Sequence, residues 1–445
     1  MSSLFQNYLN GLKGVFEEGK EFPSELNKRS RVSDLLLKSN VNLMESLGQN
    51  NYSNKSTPIS FDDNSKALLH FDKKELEKYF GKNKASFEDI TIGSHPDFKS
   101  LDYNESEKHY CVSMFVDIKG STKLSLKHSL EEVRLIKDSL LTLCIHVANF
   151  FGGHIHRLQG DAVFVQFVRK GIHPNDSIIN ALNAATVLCQ FVSNDLATLF
   201  IQKDLNPIKI RVGVDYGPTD KVLWSHYGIP GCNELTTTSL HTDLAAKLQA
   251  RANNNSIRIG KNIVEALDLP SEFYFTPTKK VDGEDISDYY ILQSVGFNYN
   301  QYQFDWEKYL NSFDFINKKG DGTLEIVGHN TFKLKCTITN PLNNSKELYF
   351  QNSNSIPKTY SLKFELYKNG SLYQKLRTEE IVWQAFNRGK EADNAKMTNH
   401  DFGGNYKNLN YCNTSTAYLG HHYLKCTIKR GFGDNVVLKF PVFVQ

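Results

Sequence analysis

From residue 108 onward the chain alternates between two hydrophobic periods. Residues 109–116 (HYCVSMFV) form a mostly apolar run of strand length. Ser129 and Glu132 then stand in the Ser-x-x-Glu pattern of a capping box. Leu130, Val133, Ile136, Leu140 and Leu143 follow at helical spacing, until Gly152-Gly153 stops the helix. Residues 154–158 and 162–168 are short apolar runs either side of Gly160-Asp161, which predicts a hairpin. A helix over about 175–200, a strand over 208–214 and a helix over about 239–252 complete the series. The order β-α-β-β-α-β predicts a ferredoxin-like, palm-type α+β domain spanning 108–295.

Either side of this region the pattern changes. Between 320 and 445 the runs are short and alternating, as in 331–339 (TFKLKCTIT) and 361–367 (SLKFELY). Asn369-Gly370 lies between two such runs, a strong hairpin signal, and 423–429 and 436–444 flank a turn at 431–435. A separate all-β domain, a small sandwich, is predicted there. Residues 1–100 read as a polar, partly helical extension packing on the next domain. Leu35, Leu36, Leu37, Val41, Leu43 and Leu47 suggest one helix, 49–60 a linker, and helical character returns near 66–80.

Composition narrows the class. The 445 residues carry 52 Lys plus Arg against 49 Asp plus Glu. Near balance argues against a chain held to nucleic acid or membrane by bulk charge. No secretory signal and no membrane span are expected. Seven cysteines at wide spacing, without C-x-x-C, fit a reducing cytoplasm better than a disulfide framework or zinc site.

The segment Phe115-Val116-Asp117-Ile118-Lys119-Gly120-Ser121-Thr122 places an acid at a strand end before a loop of backbone donors and hydroxyls. That combination suits a hard cation held against phosphates. Asp161 sits at the hairpin turn, and in a palm fold it converges on Asp117. Two carboxylates about 4 Å apart repel unless a cation lies between them. Phosphoryl transfer with Mg²⁺ or Mn²⁺ is the chemistry this predicts.

Four ordered motifs, 115–122, 160–167 (GDAVFVQF), 210–218 (IRVGVDYGP) and 242–248 (TDLAAKL), resemble the class III nucleotidyl cyclases. The resemblance implies two metal ions per site on Asp117, Asp161 and the Ile118 carbonyl. It implies phosphate contacts from Lys119, Gly120, Ser121 and Thr122, and from Lys280. Arg157 takes the base-reading position, four residues before the second Asp, where purine cyclases carry Lys or Glu. Asp243 and Lys247 replace the family's transition-state Asn and Arg, so Lys247 keeps the charge for the α-phosphate but not the fork. One cyclase domain per chain implies a homodimer with shared sites.

These departures, with the β-rich C-terminal domain, resemble the pyrimidine cyclases of bacterial Pycsar anti-phage systems, whose cyclic nucleotide acts on a separate effector. The expected reaction converts UTP to cyclic UMP, because Arg157 offers only donors and uracil presents a carbonyl at position 4. Cyclic CMP is the next alternative. An adenylyl or guanylyl cyclase and a non-catalytic nucleotide-binding domain are the others. His154 and His156 read as strand-surface residues, and Trp383 as core.

Overall fold

The computed structural model describes residues 4–18, 71–203, 205–318, 324–326 and 332–445. The helix expected at 35–47 and the linker at 49–60 lie outside them. The central sheet is built from β1 (Cys111–Ile118), β2 (Gly153–Gln159), β3 (Ala162–Phe167), β4 (Ile210–Gly217), β7 (Ser256–Gly260), β8 (Tyr290–Ser294) and β9 (Phe297–Phe304), in the order β8-β9-β7-β4-β1-β3-β2. Neighbours run antiparallel except β4 and β7. The sub-order β4-β1-β3-β2, with α1 (Leu130–Phe150) between β1 and β2 and α2 (Pro174–Gln190) between β3 and β4, is the palm arrangement.

Alternation along β1 decides which face is which. Val112, Met114 and Val116 are buried in one core with Ile136, Leu140 and Leu143 of α1 and Ile178, Leu182 and Ala185 of α2. The capping box at Ser129 and Glu132 starts α1 as its sequence predicts. The opposite face, carrying Ser113, Phe115 and Asp117, receives α3 (Leu240–Arg251), where Thr242 meets Ser113 at 3.0 Å. Gly213 permits this approach, since a Cβ there would lie 2.2 Å from Gln249 N and 2.3 Å from Ala245 O. Between β4 and α3 runs a hairpin, β5 (Leu223–Ile229) with β6 (Cys232–Thr238), that turns at Pro230-Gly231 and stands outside the β-α-β-β-α-β series.

The helical run Pro174–Gln202 is long and apolar enough to cross a membrane, but 67% of its most apolar stretch is buried inside the protein. It serves as the core helix here, interrupted by a π-helical segment at Phe191–Leu196. The helix Gln6–Glu18 and the turn before it join the same core: Leu4, Phe5, Tyr8 and Leu12 are buried, and Tyr8 donates to Ser139 O at 2.6 Å. The helix Lys73–Phe80 sets Phe80 edge-on against Phe151.

The C-terminal part consists of two five-stranded sheets around a second core. Trp383 is buried in that core and donates through Nε1 to Leu409 O. Asn369 and Gly370 both adopt positive φ, at 50° and 84°, between Ser361–Lys368 and Ser371–Leu372. That is the backbone a two-residue hairpin needs. The sandwich docks on the catalytic part through polar contacts. Asn183 donates to Asn352 O at 2.9 Å, Ser355 N to Asp176 at 2.7 Å, and Lys390 N to Asp268 at 2.6 Å. All seven cysteines are free thiols, and only Cys232 is exposed.

Candidate active site

β1 and β3 pair with Val116 opposite Val163, which carries Asp117 at the end of β1 to the Gly160-Asp161 turn. Gly160 takes φ 65°, a turn conformation in which side chains other than Asn or Asp are strained. The Asp117 carboxyl lies partly buried. Burial pushes its pKa up, Arg211 pulls it back, and the adjoining Asp161 carboxyl adds a further push upward. Arg211 is its cross-strand partner on β4, and the guanidinium grips Asp117 Oδ2. Gln249 of α3 donates to the same oxygen at 3.0 Å. Lys137 of α1 stands 3.6 Å from Asp161 Oδ1. Asp161 Oδ2 is buried without a hydrogen-bond partner among the described residues.

These features fit a divalent cation. An orphaned carboxylate oxygen faces a second carboxylate whose charge is raised in energy by burial, and the Ile118 carbonyl ends the same strand. Among the described residues no group of three or more His, Cys, Asp or Glu could hold a metal alone. Such a cation would complete its shell with substrate oxygens and water, the common habit of Mg²⁺.

The loop after Asp117 is only partly free to bind phosphate. Lys119 N donates to Lys209 O at 2.8 Å, so Lys119 offers its side chain and not its amide. Gly120, with φ 74°, opens the short helix Ser121–Ser125, and the amides of Ser121 and Thr122 fall in its unpaired first turn. Asp243 and Lys247 are exposed one turn apart on α3 and make no contact with Asp117 or Asp161 of the same chain among the described residues. Lys280 is exposed on a two-stranded ribbon, Thr278–Val281 with Glu284–Ser287, that pairs with no other strand among the described residues.

Arg157 does not stand alone as a donor. Its guanidinium forks onto Glu234 of β6. Glu234 Oε1 also lies 3.1 Å from His156 Nε2. Arg157 is the cross-strand partner of Phe164, and the Phe164 ring stacks on Phe115 at 4.3 Å, two residues before Asp117. A continuous surface therefore runs from the Arg157–Glu234 pair over two rings to the carboxylates. Pro230-Gly231 marks the turn of this hairpin in the sequence, but nothing local shows that Glu234 on its second strand meets Arg157, 77 residues away. Arg211 and Gln249 both lie within or just after quoted motifs, but only the sheet register and the α3 crossing reveal their target.

His154 and His156 are not strand-surface residues. They share one face of β2, and the segment carrying Phe87, Gly93 and His95 covers that face, so each ring is buried near Gly93 O, at 2.9 and 3.1 Å. Burial lowers the His154 pKa to about 4, opposed by the Gly93 carbonyl and aided by His156 and Lys99. Burial does the same to His422 in the sandwich, also to about 4. Both rings are neutral when folded and prefer protonation when unfolded. Their stabilisation is complete above about pH 6.5 and is lost as pH falls toward 4. By pH 5 the loss is expected to be about 2 kcal/mol for each ring. Urea midpoints at pH 7 and pH 5 check this, and His154→Gln should flatten the dependence.

The family described as the adenylate and guanylate cyclase catalytic domain matches residues 104–294. The family described as the adenylyl/guanylyl and SMODS C-terminal sensor domain matches residues 295–444. A cytidylate cyclase of Staphylococcus aureus is 38% identical over 398 residues, covering 89% of this chain and 91% of that relative. A cytidylate cyclase of Escherichia coli is 37% identical over 325 residues, covering 70% and 66%. Among solved structures, the P. aeruginosa adenylyl cyclase CyaB aligns at 18% identity and TM-score 0.38, over 45% of this chain and 95% of its own. The guanylyl cyclase Cya2 aligns at 15% identity and TM-score 0.35, over 45% and 92%.

Proposed function

This chain belongs to the class III nucleotidyl cyclases, in the cytidylate-cyclase (Pycsar) type with a C-terminal sensor domain, and from that premise we propose that it cyclises CTP to 3′,5′-cyclic CMP in antiviral defence. The observation that carries the cyclase reading is the Asp117–Asp161 pair, with its orphaned oxygen beside the opening of a phosphate-binding turn.

In the reaction the ribose 3′-oxygen bonds to the α-phosphorus, the α–β phosphoanhydride breaks, and pyrophosphate leaves. The 3′ proton passes to solvent. Asp117, Asp161 and the Ile118 carbonyl would hold Mg²⁺ or Mn²⁺, which when bound acidifies the 3′-hydroxyl and neutralises the leaving group. The amides of Gly120, Ser121 and Thr122 and the Lys119 ammonium would bind the β- and γ-phosphates. Lys247, from the second chain of a homodimer, would meet the α-phosphate, with Asp243 orienting the ribose. Lys280 is a further phosphate candidate.

The Arg157–Glu234 pair alters the case for the base. A lone Arg favours uracil, but a donor beside an acceptor can meet the N3 and N4 amine of cytosine, or the O4 and N3–H of uracil. The likeness to relatives named cytidylate cyclase supports CTP. UTP is the second reading, with Arg157 on O4.

Purified protein incubated with Mn²⁺ and each of ATP, GTP, CTP and UTP tests this, with products identified by mass. Cyclic CMP as the main product is expected, and a cyclic purine would overturn the reading. Glu234→Ala leaves only donors at the edge and should lower the CTP-to-UTP preference by about tenfold or more. An unchanged ratio would remove the pair from base recognition.

A further inference from the structure

A cleft of about 190 Å³ lies where the sandwich meets the catalytic part. Glu272, Lys308 and Ser312 line it from one side, and Arg388, His421 and Lys439 from the other. Three cations against one carboxylate leave these walls with a net charge of two positive units. Glu272 is already engaged by Arg388, which also stacks 4.6 Å from the Tyr423 ring. Lys308 approaches Asp305 at 3.2 Å. Lys439, which lies 5.4 Å from the Tyr423 ring, has no carboxylate partner among the described residues.

The back wall adds an independent sign. His421 is fully buried, and Nδ1 has no partner among the described residues. Its Nε2 faces Asn352 Nδ2 at 3.3 Å, so Nε2 accepts and Nδ1 carries the proton. Burial first, and Arg388 second, hold the ring neutral. The wall thus holds an unused donor behind a surplus of cations, an arrangement complementary to an oxyanion.

We propose that this cleft binds a dianionic phosphoryl group, carried by inorganic phosphate or a phosphomonoester, and that the bound anion clamps the sandwich onto the catalytic part. Lys308 follows the Asp305 cap of the helix Trp306–Leu310, whereas Lys439 belongs to the strand Val436–Val444. An anion between them would add a link across the seam beside the Arg388–Glu272 pair and the Lys390–Asp268 contact. The docked geometry would then respond to the phosphate status of the cell without any ligand entering the catalytic cleft.

The test titrates the full chain with inorganic phosphate, and separately with ribose 5-phosphate, in EDTA to keep cations from recruiting phosphate to Asp117 and Asp161. Wild type should bind one equivalent of at least one probe. Lys308→Ala with Lys439→Ala should weaken binding by at least about tenfold, and Lys439→Glu should abolish it. Both lysines are exposed, so these variants keep the fold. Hydrogen exchange at 271–273 and 388–390 should slow with probe in wild type only. Saturation by phosphate alone identifies the free anion, and saturation by the ester alone identifies a phosphomonoester. No saturable binding, or equal affinity in wild type and variants, overturns the proposal. Cyclisation by the double variant without phosphate should match wild type, so loss of cyclase activity in the wild type itself bears on the proposed function and not on this cleft.

Discussion

Asp117→Asn and Asp161→Asn are each expected to lower cyclic nucleotide formation by about a thousandfold or more, with the fold retained. Each change removes one negative charge from a pair that no third carboxylate, His or Cys joins among the described residues. The amide keeps the shape and an acceptor for Arg211 and Gln249, so the β1–β4 contact survives. Alanine at 117 is a harsher probe, because it strands a partly buried guanidinium. Product formation measured by mass, beside the urea midpoint, separates the two effects. Residual turnover above about a tenth of wild type in both variants would mean that the carboxylates do not hold the catalytic cation.

The second large effect concerns two inactive chains. Lys247→Ala alone and Asp117→Asn alone should each be nearly inactive, yet their co-expressed mixture should recover about a quarter of wild-type activity. Half of randomly paired dimers are mixed, and each mixed dimer holds one site free of both lesions. The geometry behind this is specific. Gln249 reaches Asp117 within one chain, whereas Lys247, two residues earlier, points outward with Asp243 on the exposed face of α3. A helix that touches the carboxylates with one face and presents a cation on the other suits a site completed by a second copy. No recovery on mixing would place both functions in one chain and make the exposed face of α3 an ordinary solvated surface.

Much of the catalytic fold was legible in local patterns. The capping box at Ser129 and Glu132, the apolar spacing of α1, and the glycines at 152, 153 and 160 each specify a start, a buried face or a stop without reference to distant residues. The Asn369-Gly370 hairpin follows the same logic. The convergence of Asp117 and Asp161 was legible too, because the palm order forces β1 beside β3. What escaped had no local signature. The segment carrying Phe87, Gly93 and His95 covers His154 and His156, which lie 61 and 63 residues on from Gly93 in the chain, and nothing in the residues around the two histidines announces that cover.

The sequence by itself determined the reaction class: two acids at fixed places in a β-α-β-β-α-β pattern, followed by a turn of small and hydroxyl residues. Tertiary structure alone decided how those acids are compensated and what pairs with Arg157. Arg211, Gln249 and Lys137 reach the carboxylates from three elements, and Glu234 reaches Arg157 across 77 residues of chain. The physical reason is range. Helix caps, turns and apolar periodicity are set by neighbours in sequence, whereas a charge is compensated by whatever the fold brings within a few ångströms, and that depends on register and helix approach.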